Sequence, residues 1–212
     1  DAETNIAGSV SKLNDLLQQF KKVNDAITSS VSNSAELTEN MDTRDKLARD
    51  ISQLMGIKIV RRPNNDMALY TDSGVTLFEK DPRAVTFQQN PSLAPGVSGN
   101  AVFVDGVDIT SQQSPMSLRS GSIFGLTKLR DETTVQYQRQ IDEVARGLIT
   151  AFAENDQGTP ATLPAAAGLF TWPGGPAIPA AGTLVNGLAA SLSLNSAIDP
   201  SQGGQPSRLR DG

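Results

Sequence analysis

Apolar residues recur every three or four positions in three long stretches of the chain, and this spacing predicts three α-helices. The longest stretch, Gly121 to Asp156, contains no proline. One side of this helix carries an apolar stripe formed by Thr134, Tyr137, Ile141, Val144, Leu148 and Ala151, widened by Ile149 and Phe152. The opposite side is charged and carries Arg139, Asp142, Glu143 and Arg146. At 1.5 Å per residue the helix is about 45 Å long, and it needs partners to bury its stripe.

Residues 1–31 contain a heptad, which is typical of a helix packed against other helices. Its apolar positions are Ile6, Val10, Leu13, Leu17, Phe20, Ile27 and Val31, and Asn24 occupies the one polar position. An asparagine at such a seam can fix the packing register. A position near a fraying helix end is the other interpretation of Asn24, and the sequence leaves both open.

A second amphipathic helix is predicted from about Ala35 to Met55. Asn33 followed by Glu36 fits a helix N-cap, and Gly56 is placed to end the helix. The two N-terminal helices form either an antiparallel pair or one broken helix, with the third helix along them. The residues predicted to face inward in this three-helix bundle are Leu13, Leu17, Phe20, Ile51, Tyr137, Ile141, Val144 and Leu148.

After Gly56 the apolar period changes to the alternation of a β-strand. Strands are predicted at residues 57–61, 67–71, 75–79 and 84–88, with turn residues between them. The segments 101–104 and 107–110 flank Asp105-Gly106, a pair that favours a type I′ hairpin turn. The C-terminal part is rich in proline and glycine, with a possible strand at residues 188–195.

These elements predict an α+β fold with three parts. Residues 1–56 and 119–156 form a bundle of three long helices, and residues 57–118 are an inserted antiparallel β meander and hairpin region. Residues 157–212 form loops and short strands of an outer domain. There the apolar residues Leu169, Phe170, Trp172 and Ile178 are expected to hold the loop onto a sheet.

Composition removes several classes of function. The net charge is −5 and the chain lacks histidine and cysteine, so the commonest general base and the thiolate ligands are absent. The acidic balance argues against nucleic acid and anionic membranes as partners. No apolar run approaches the length of a membrane-spanning helix.

Carboxylates are the remaining candidates for acid–base work or metal binding. They occur as Glu39, Asp42 and Asp45, as Asp131 with Glu132, and as Asp142 with Glu143, while Asp72, Asp105 and Asp108 lie in predicted turns. Exposed helix charges are the favoured interpretation, with Asp42–Lys46 and Asp45–Arg49 as ion pairs. Ser-Lys pairs stay open, Gly203-Gly204 lacks the context of a phosphate loop, and Trp172 is interpreted as a packing anchor. We therefore predict no catalytic, cofactor-binding or metal site.

Two blocks of sequence, in order, resemble the flagellar hook-associated protein 1 family, the hook–filament junction proteins of bacterial flagella. The first block runs from Leu37 to Val60 and contains Asp42-x-x-Asp45 ahead of Leu47, then Ile51-x-x-Leu54 and Gly56. The second runs from Arg119 to Asp156, preceded by the hairpin VFVDGVDIT. It contains Gly121-x-x-x-Gly125-Leu126, Leu129-Arg130-Asp131 and an amphipathic run to Phe152.

The resemblance implies a structural component of the flagellum that is exported and extracellular, and not an enzyme. It implies hook protein, a second junction protein and further copies of itself in a ring as partners, with an export chaperone as a possible one. The chain is expected to be an internal fragment without the family's terminal coiled coils, and so a monomer at micromolar concentration. A flagellin- or hook-type relative and a carbohydrate- or host-binding module are alternatives, and a carboxylate-based hydrolase is a third class.

Overall fold

The computed structural model describes residues 1–30 and 35–208 and has mixed helix and sheet, which confirms the α+β class. The predicted positions Val31 and Asn33 lie outside the described residues. The helices are α1 (Ala2–Ser29), α2 (Ala35–Leu54), α3 (Ser122–Lys128), α4 (Thr134–Ala151) and α5 (Leu188–Ser191), with a π-helical turn, Leu129–Thr133, between α3 and α4. The strands are β1 (Ile57–Arg61), β2 (Met67–Thr71), β3 (Thr76–Phe78), β4 (Val85–Phe87), β5 (Val102–Val104), β6 (Val107–Asp108), β7 (Phe170–Thr171) and β8 (Ser193–Leu194). Short 3₁₀ turns lie at Pro200–Gln202 and Pro206–Arg208.

The chain divides into two compact units. The first comprises Asp1–Leu93 and Ser98–Thr133, and the second comprises Ala94–Val97 with the residues from Thr134 onward. This division differs from the three parts expected from the sequence, because it groups α4 with the C-terminal segment. The domain boundaries stay a prediction.

The first unit is built around the apolar face of α1. The heptad residues of α1 from Ile6 to Ile27 are buried together with apolar residues of α2, and α1 packs along α2 as predicted for a helix pair. Phe20 meets Phe78 of β3 edge to face, with ring centroids 5.1 Å apart. The same core cluster takes in both small sheets of this unit through Met67, Leu69, Leu77, Val85, Val102 and Val104. The β region and the helices of this unit therefore share one core.

Two antiparallel three-stranded sheets cover this core, in the orders β1-β2-β3 and β4-β5-β6. The hairpin β5–β6 lies where the Asp-Gly pair predicts it. Asp105 and Gly106 have φ values of 47° and 80°, as a type I′ turn requires.

A glycine sets the start of α3. Gly121 has φ 95°, and a Cβ built there would lie 2.6 Å from the Cα of Met55. Because that neighbour is backbone and cannot move aside cheaply, only glycine fits where α3 begins against the end of α2.

The second unit overturns the predicted inward face of α4. Asp142, Ala145 and Ile149 are the buried residues of α4, and α4 packs against α5 and β7. Tyr137, Ile141, Val144 and Leu148 are exposed, with Ile141 at 55% and Val144 at 64%. Their prediction as inward-facing residues was wrong, and a bundle of three long helices is not confirmed. The reason is that the C-terminal segment covers the neighbouring face of α4. That face presents the small side chain of Ala145 and the carboxylate of Asp142, which accepts hydrogen bonds from the backbone of the C-terminal segment.

The predicted strand at residues 188–195 was wrong in its first half. Leu188–Ser191 form the helical turn α5, and only Ser193–Leu194 pair with β7. Leu188 fills the small core of this unit with Ala145, Ile149 and Ala167. Trp172, Phe170 and Ile178 pack against that core, and the Trp172 Nε1–H donates to the Ala177 carbonyl at 2.7 Å. This is the anchoring role expected for Trp172.

The two faces of α4 predict a large and a small loss of stability on mutation. Ile149 is fully buried and Ile141 is 55% exposed. Ile149→Ala removes a core aliphatic side chain and is expected to lower the free energy of unfolding by about 2–5 kcal/mol. Ile141→Ala, the matched control on the same helix, is expected to change it by about 0.5 kcal/mol or less. Urea denaturation followed by circular dichroism measures both, and a larger loss for Ile141→Ala would contradict the observed face.

Candidate functional site

The most densely connected group of charges in the first unit surrounds Arg130, in the π-helical turn. The Arg130 side chain is 5% exposed. Its Nε and one terminal nitrogen donate to the two carboxylate oxygens of Asp131, both at 2.7 Å. Its other terminal nitrogen donates to Glu3 of α1, and a further hydrogen bond of 3.0 Å reaches the Asn100 carbonyl. The ring of Phe87 lies 6.0 Å from the guanidinium carbon.

The carboxylates around Arg130 have second partners in the backbone. Asp131 accepts from the Gly99 N–H at 2.9 Å, and Glu3 accepts from the Asn90 N–H at 2.7 Å. A Cβ at Gly99 would come within 2.4 Å of the Arg130 guanidinium carbon, so the absence of a side chain there makes room for the ion pair. The group joins α1, the loop before β5 and the π-helical turn.

The environment keeps Arg130 charged. Burial alone would lower its pKa, but the hydrogen bonds to Asp131 and Glu3 outweigh burial and raise the pKa above its ordinary value. An arginine in this environment stays protonated near neutral pH and does not release a proton. The arrangement therefore clamps three chain segments together, and it offers no acid or base to a substrate.

A second buried polar group involves the heptad asparagine. Asn24 is 2% exposed. It donates to Asp66 at 2.7 Å and accepts from Arg44 of α2 at 2.9 Å. This favours the interpretation that Asn24 fixes the register between α1 and α2, since a fraying end would leave it in water. Burial lowers the pKa of Arg44, whose Nε has no hydrogen-bond partner among the described residues.

Asp142 was expected on the charged outer side of α4, and the structure buries it. Its side chain accepts hydrogen bonds of 2.9 Å from the Gly187 N–H, the Ala189 N–H and the Gln138 amide. The carboxylate thus satisfies the backbone at the start of α5. A single carboxylate on a charged face carries no sequence signal for this role.

The remaining candidate carboxylates are scattered. Asp42 and Asp45 are exposed on α2, and the predicted ion pairs Asp42–Lys46 and Asp45–Arg49 are absent from the described salt bridges. Glu143 pairs with Arg146 at 2.8 Å instead. Within residues 1–30 and 35–208, no three His, Cys, Asp or Glu side chains converge as a metal site would require.

The turn aspartates serve the backbone. Asp72 accepts from the Arg119 N–H and the Ser120 hydroxyl, and Asp105 pairs with Arg83 at 3.2 Å. Partial burial would raise the pKa of Asp108, but hydrogen bonds from Ser111 and Thr110 hold it below the usual value. Each therefore has a local structural role.

Asp156 is the carboxylate with the largest resolved shift. The backbone N–H groups of Gly158, Leu163 and Thr162 donate to it, and they lower its pKa to about 2. These bonds close the loop that follows α4 in the second unit.

No described helix is long and apolar enough to cross a membrane.

The fold is of the α+β class, and the buried side chains of Arg130, Arg44 and Asp142 are hydrogen-bonded within the chain. The family description "Flagellar hook-associated protein FlgK helical domain" matches residues 1–162. The chain belongs to this flagellar hook-associated protein family, which confirms the resemblance seen in the sequence.

Known relatives agree with this assignment. Flagellar hook-associated protein 1 of Salmonella typhimurium is 25% identical over 163 residues, which is 74% of this chain and 29% of that protein. The Escherichia coli K12 protein of the same name is 24% identical over 156 residues, covering 72% of this chain and 28% of that protein. The chain thus spans less than a third of the length of these relatives.

The solved structure of the flagellar hook junction protein FlgK from Burkholderia pseudomallei has a similar fold. The TM-score is 0.53 at 19% sequence identity, and the match covers 81% of this chain and 31% of that one.

The Arg130 clamp predicts a large stability loss on truncation. Arg130→Ala leaves the buried carboxylate of Glu3 and the partly buried carboxylate of Asp131 without their cation, and it is expected to cost about 3–5 kcal/mol of unfolding free energy. Lys128→Ala is the control, because among the described residues its ammonium has one described interaction, with the face of Phe124 at 5.8 Å, and about 1 kcal/mol or less is expected. Equal losses in denaturant titrations would show that Arg130 is not a structural clamp.

Asp156 predicts a pH dependence of defined sign. Its pKa is about 2 in the folded chain against an ordinary 3.8, so the unfolded chain binds the proton more readily. The stabilisation from the ionised form is present above the unfolded pKa and is lost as the pH falls toward about 2. The melting temperature of the native chain should therefore exceed that of Asp156→Asn at pH 5, and the difference should shrink at pH 2.5. Asp15→Asn, an exposed change of equal charge on α1, is the control, and a difference that is constant with pH would contradict this assignment.

Proposed function

We propose that this protein is a structural component of the bacterial flagellum and an adaptor at the junction between hook and filament. Membership of the hook-associated family carries the proposal. It is supported by the structural use of the buried charges, since the Arg130 donors and the Asp142 carboxylate are used within the chain. The role is one of assembly, without catalysis, cofactor or metal. Stoichiometric metal in the purified chain would contradict the last point.

The proposed partners are other axial subunits of the flagellum. They are hook protein on one side, a second junction protein on the other, and neighbouring copies of the same protein in a ring, with an export chaperone before assembly. The proposed location is the extracellular flagellum, reached by secretion. The net charge of −5 favours protein partners over nucleic acid or anionic lipid surfaces.

The alternatives have less support. A carbohydrate-binding module would present Trp172 as an open platform, whereas its indole packs on the core of the second unit and is hydrogen bonded to Ala177. A carboxylate-based hydrolase would need two carboxylates across a pocket, and Asp131 and Asp142 are each bonded within the chain.

Deletion of the gene that encodes this chain tests the proposal in its own organism. If the protein joins hook and filament, cells should carry hooks without filaments and should not swim, and the intact gene should restore both. A gene with Gly8→Ala should also complement, because a Cβ at Gly8 meets nothing within 4 Å. Gly121→Val should not complement, because its Cβ would meet the backbone of Met55. Filaments of normal number on the hooks of the deletion strain would overturn the junction role.

A further inference from the structure

Strand β1 is an edge strand with an unused hydrogen-bonding side. It pairs with β2 alone, in the order β1-β2-β3. The Gly56 carbonyl accepts from the Asp72 N–H, and the Arg62 N–H donates to the Asp66 carbonyl, both at 2.8 Å. In an antiparallel pair, hydrogen-bonded and non-bonded positions alternate. The even-numbered residues of β1 therefore face β2, and the N–H and C=O groups of Ile57, Ile59 and Arg61 point to the free edge.

A cleft lies against the face of β1 that carries its odd-numbered side chains. It has a volume of about 610 Å³ and lies between one face of β1, with Met67 of β2 beside it, and the side of α2 that carries Asp42, Asp45, Ala48, Arg49 and Ser52. The side chains of Ile57, Ile59 and Arg61 share one face of the strand and line the cleft together with Ala48. Ile59 is 46% exposed. Among the described residues, no backbone hydrogen bond is made at this edge by the three odd-numbered positions of β1.

The balance of charge differs between the two ends of the cleft. The chain turns back at Gly56 between α2 and β1, so Arg49 and Ser52 lie at the Ile57 end of the cleft and Asp42 and Asp45 lie at the Arg61 end. Arg61 itself also lines the cleft, so its end holds two carboxylates against one guanidinium and remains negative on balance. The described salt bridges include none of Asp42, Asp45 and Arg61, and the described hydrogen bond of Arg49 runs to the Asp45 carbonyl at 3.3 Å. A ligand with a cation at one end and an anion at the other would match this order.

We propose that β1 accepts an extended segment of another protein molecule as an additional antiparallel strand. The backbone of that segment binds the outward N–H and C=O groups of β1, as in other cases of strand addition to a sheet edge. Its side chains alternate, so every second one enters the cleft. These are a long Lys or Arg opposite Arg61 whose charge extends across to Asp42 and Asp45 on α2, a medium-sized apolar residue over Ile59, and an Asp or Glu beside Arg49. The surface is a binding site for a peptide of the pattern cation-x-apolar-x-anion.

The test uses one synthetic peptide and two modified forms of it. The probe is acetyl-Thr-Lys-Thr-Val-Thr-Glu-Thr-amide, titrated into the ¹⁵N-labelled chain of 212 residues. The amide signals of Ile57, Ile59 and Arg61 are expected to shift most, because their N–H groups gain partners. The central Val lies opposite Ile59 with its N–H toward β1. N-methylation of that Val should weaken binding about tenfold, the factor for one lost hydrogen bond of ordinary strength, whereas N-methylation of the following Thr should not.

Protein variants separate the charge contribution from the backbone contribution. Asp45→Lys places a cation beside the Lys of the probe and should weaken binding. Asp15→Lys makes the same charge change on α1, outside the cleft, and should leave the dissociation constant within about twofold, because exposed charges beyond a Debye length of about 8 Å are largely screened. Ile59→Pro removes an outward N–H that β2 does not use and should abolish the shifts, with the melting temperature as a check on folding.

Several outcomes would overturn the proposal. They are an absence of shifts at the three odd-numbered amides with millimolar probe, equal affinity for the two N-methylated peptides, and equal effects of Asp45→Lys and Asp15→Lys. The same amide signals should not move when the protein alone is concentrated. If they do, the edge of β1 binds a second copy of this chain, and the proposal is overturned. None of these measurements depends on flagellar assembly, so the proposal can fail while the junction role stands.

Discussion

Burial of the apolar face of α1 is the constraint on which the first unit depends. The sheets of that unit have three strands each and no strand longer than five residues, and the apolar face of each sheet must be buried against another element. Phe20 and the neighbouring heptad residues provide that cover for both sheets at once. A change that moves α1 along its axis would therefore uncover both sheets.

Two polar groups fix α1 against such a movement. Asn24 contacts Asp66 and Arg44 toward one end of the helix, and Glu3 contacts Arg130 at the other. Apolar packing tolerates small shifts, whereas a buried charge without its partner is costly. The apolar face thus supplies most of the driving force, and the two polar groups select one register.

Regular local patterns in the sequence predicted most of the first unit. The α1 heptad, the stop at Gly56 and the Asp105-Gly106 turn depend on neighbouring residues, and all three lie where the pattern indicates. The roles of Arg130 and Asp142 could not be predicted in this way. A charged residue on a helix indicates exposure, and only partners far away in the chain, Glu3 for one and Gly187 for the other, make burial favourable. The covered face of α4 was missed for the same reason.

The uncovered stripe of α4 has a consequence for the behaviour of the chain in solution. Tyr137, Ile141, Val144 and Leu148 hold apolar surface in water, while the net charge of −5 keeps molecules apart. Sulfate and phosphate strengthen the tendency of apolar surface to leave water, and added salt screens the repulsion. Both effects act in the same direction, so sulfate and phosphate buffers are expected to lower the solubility of this acidic chain.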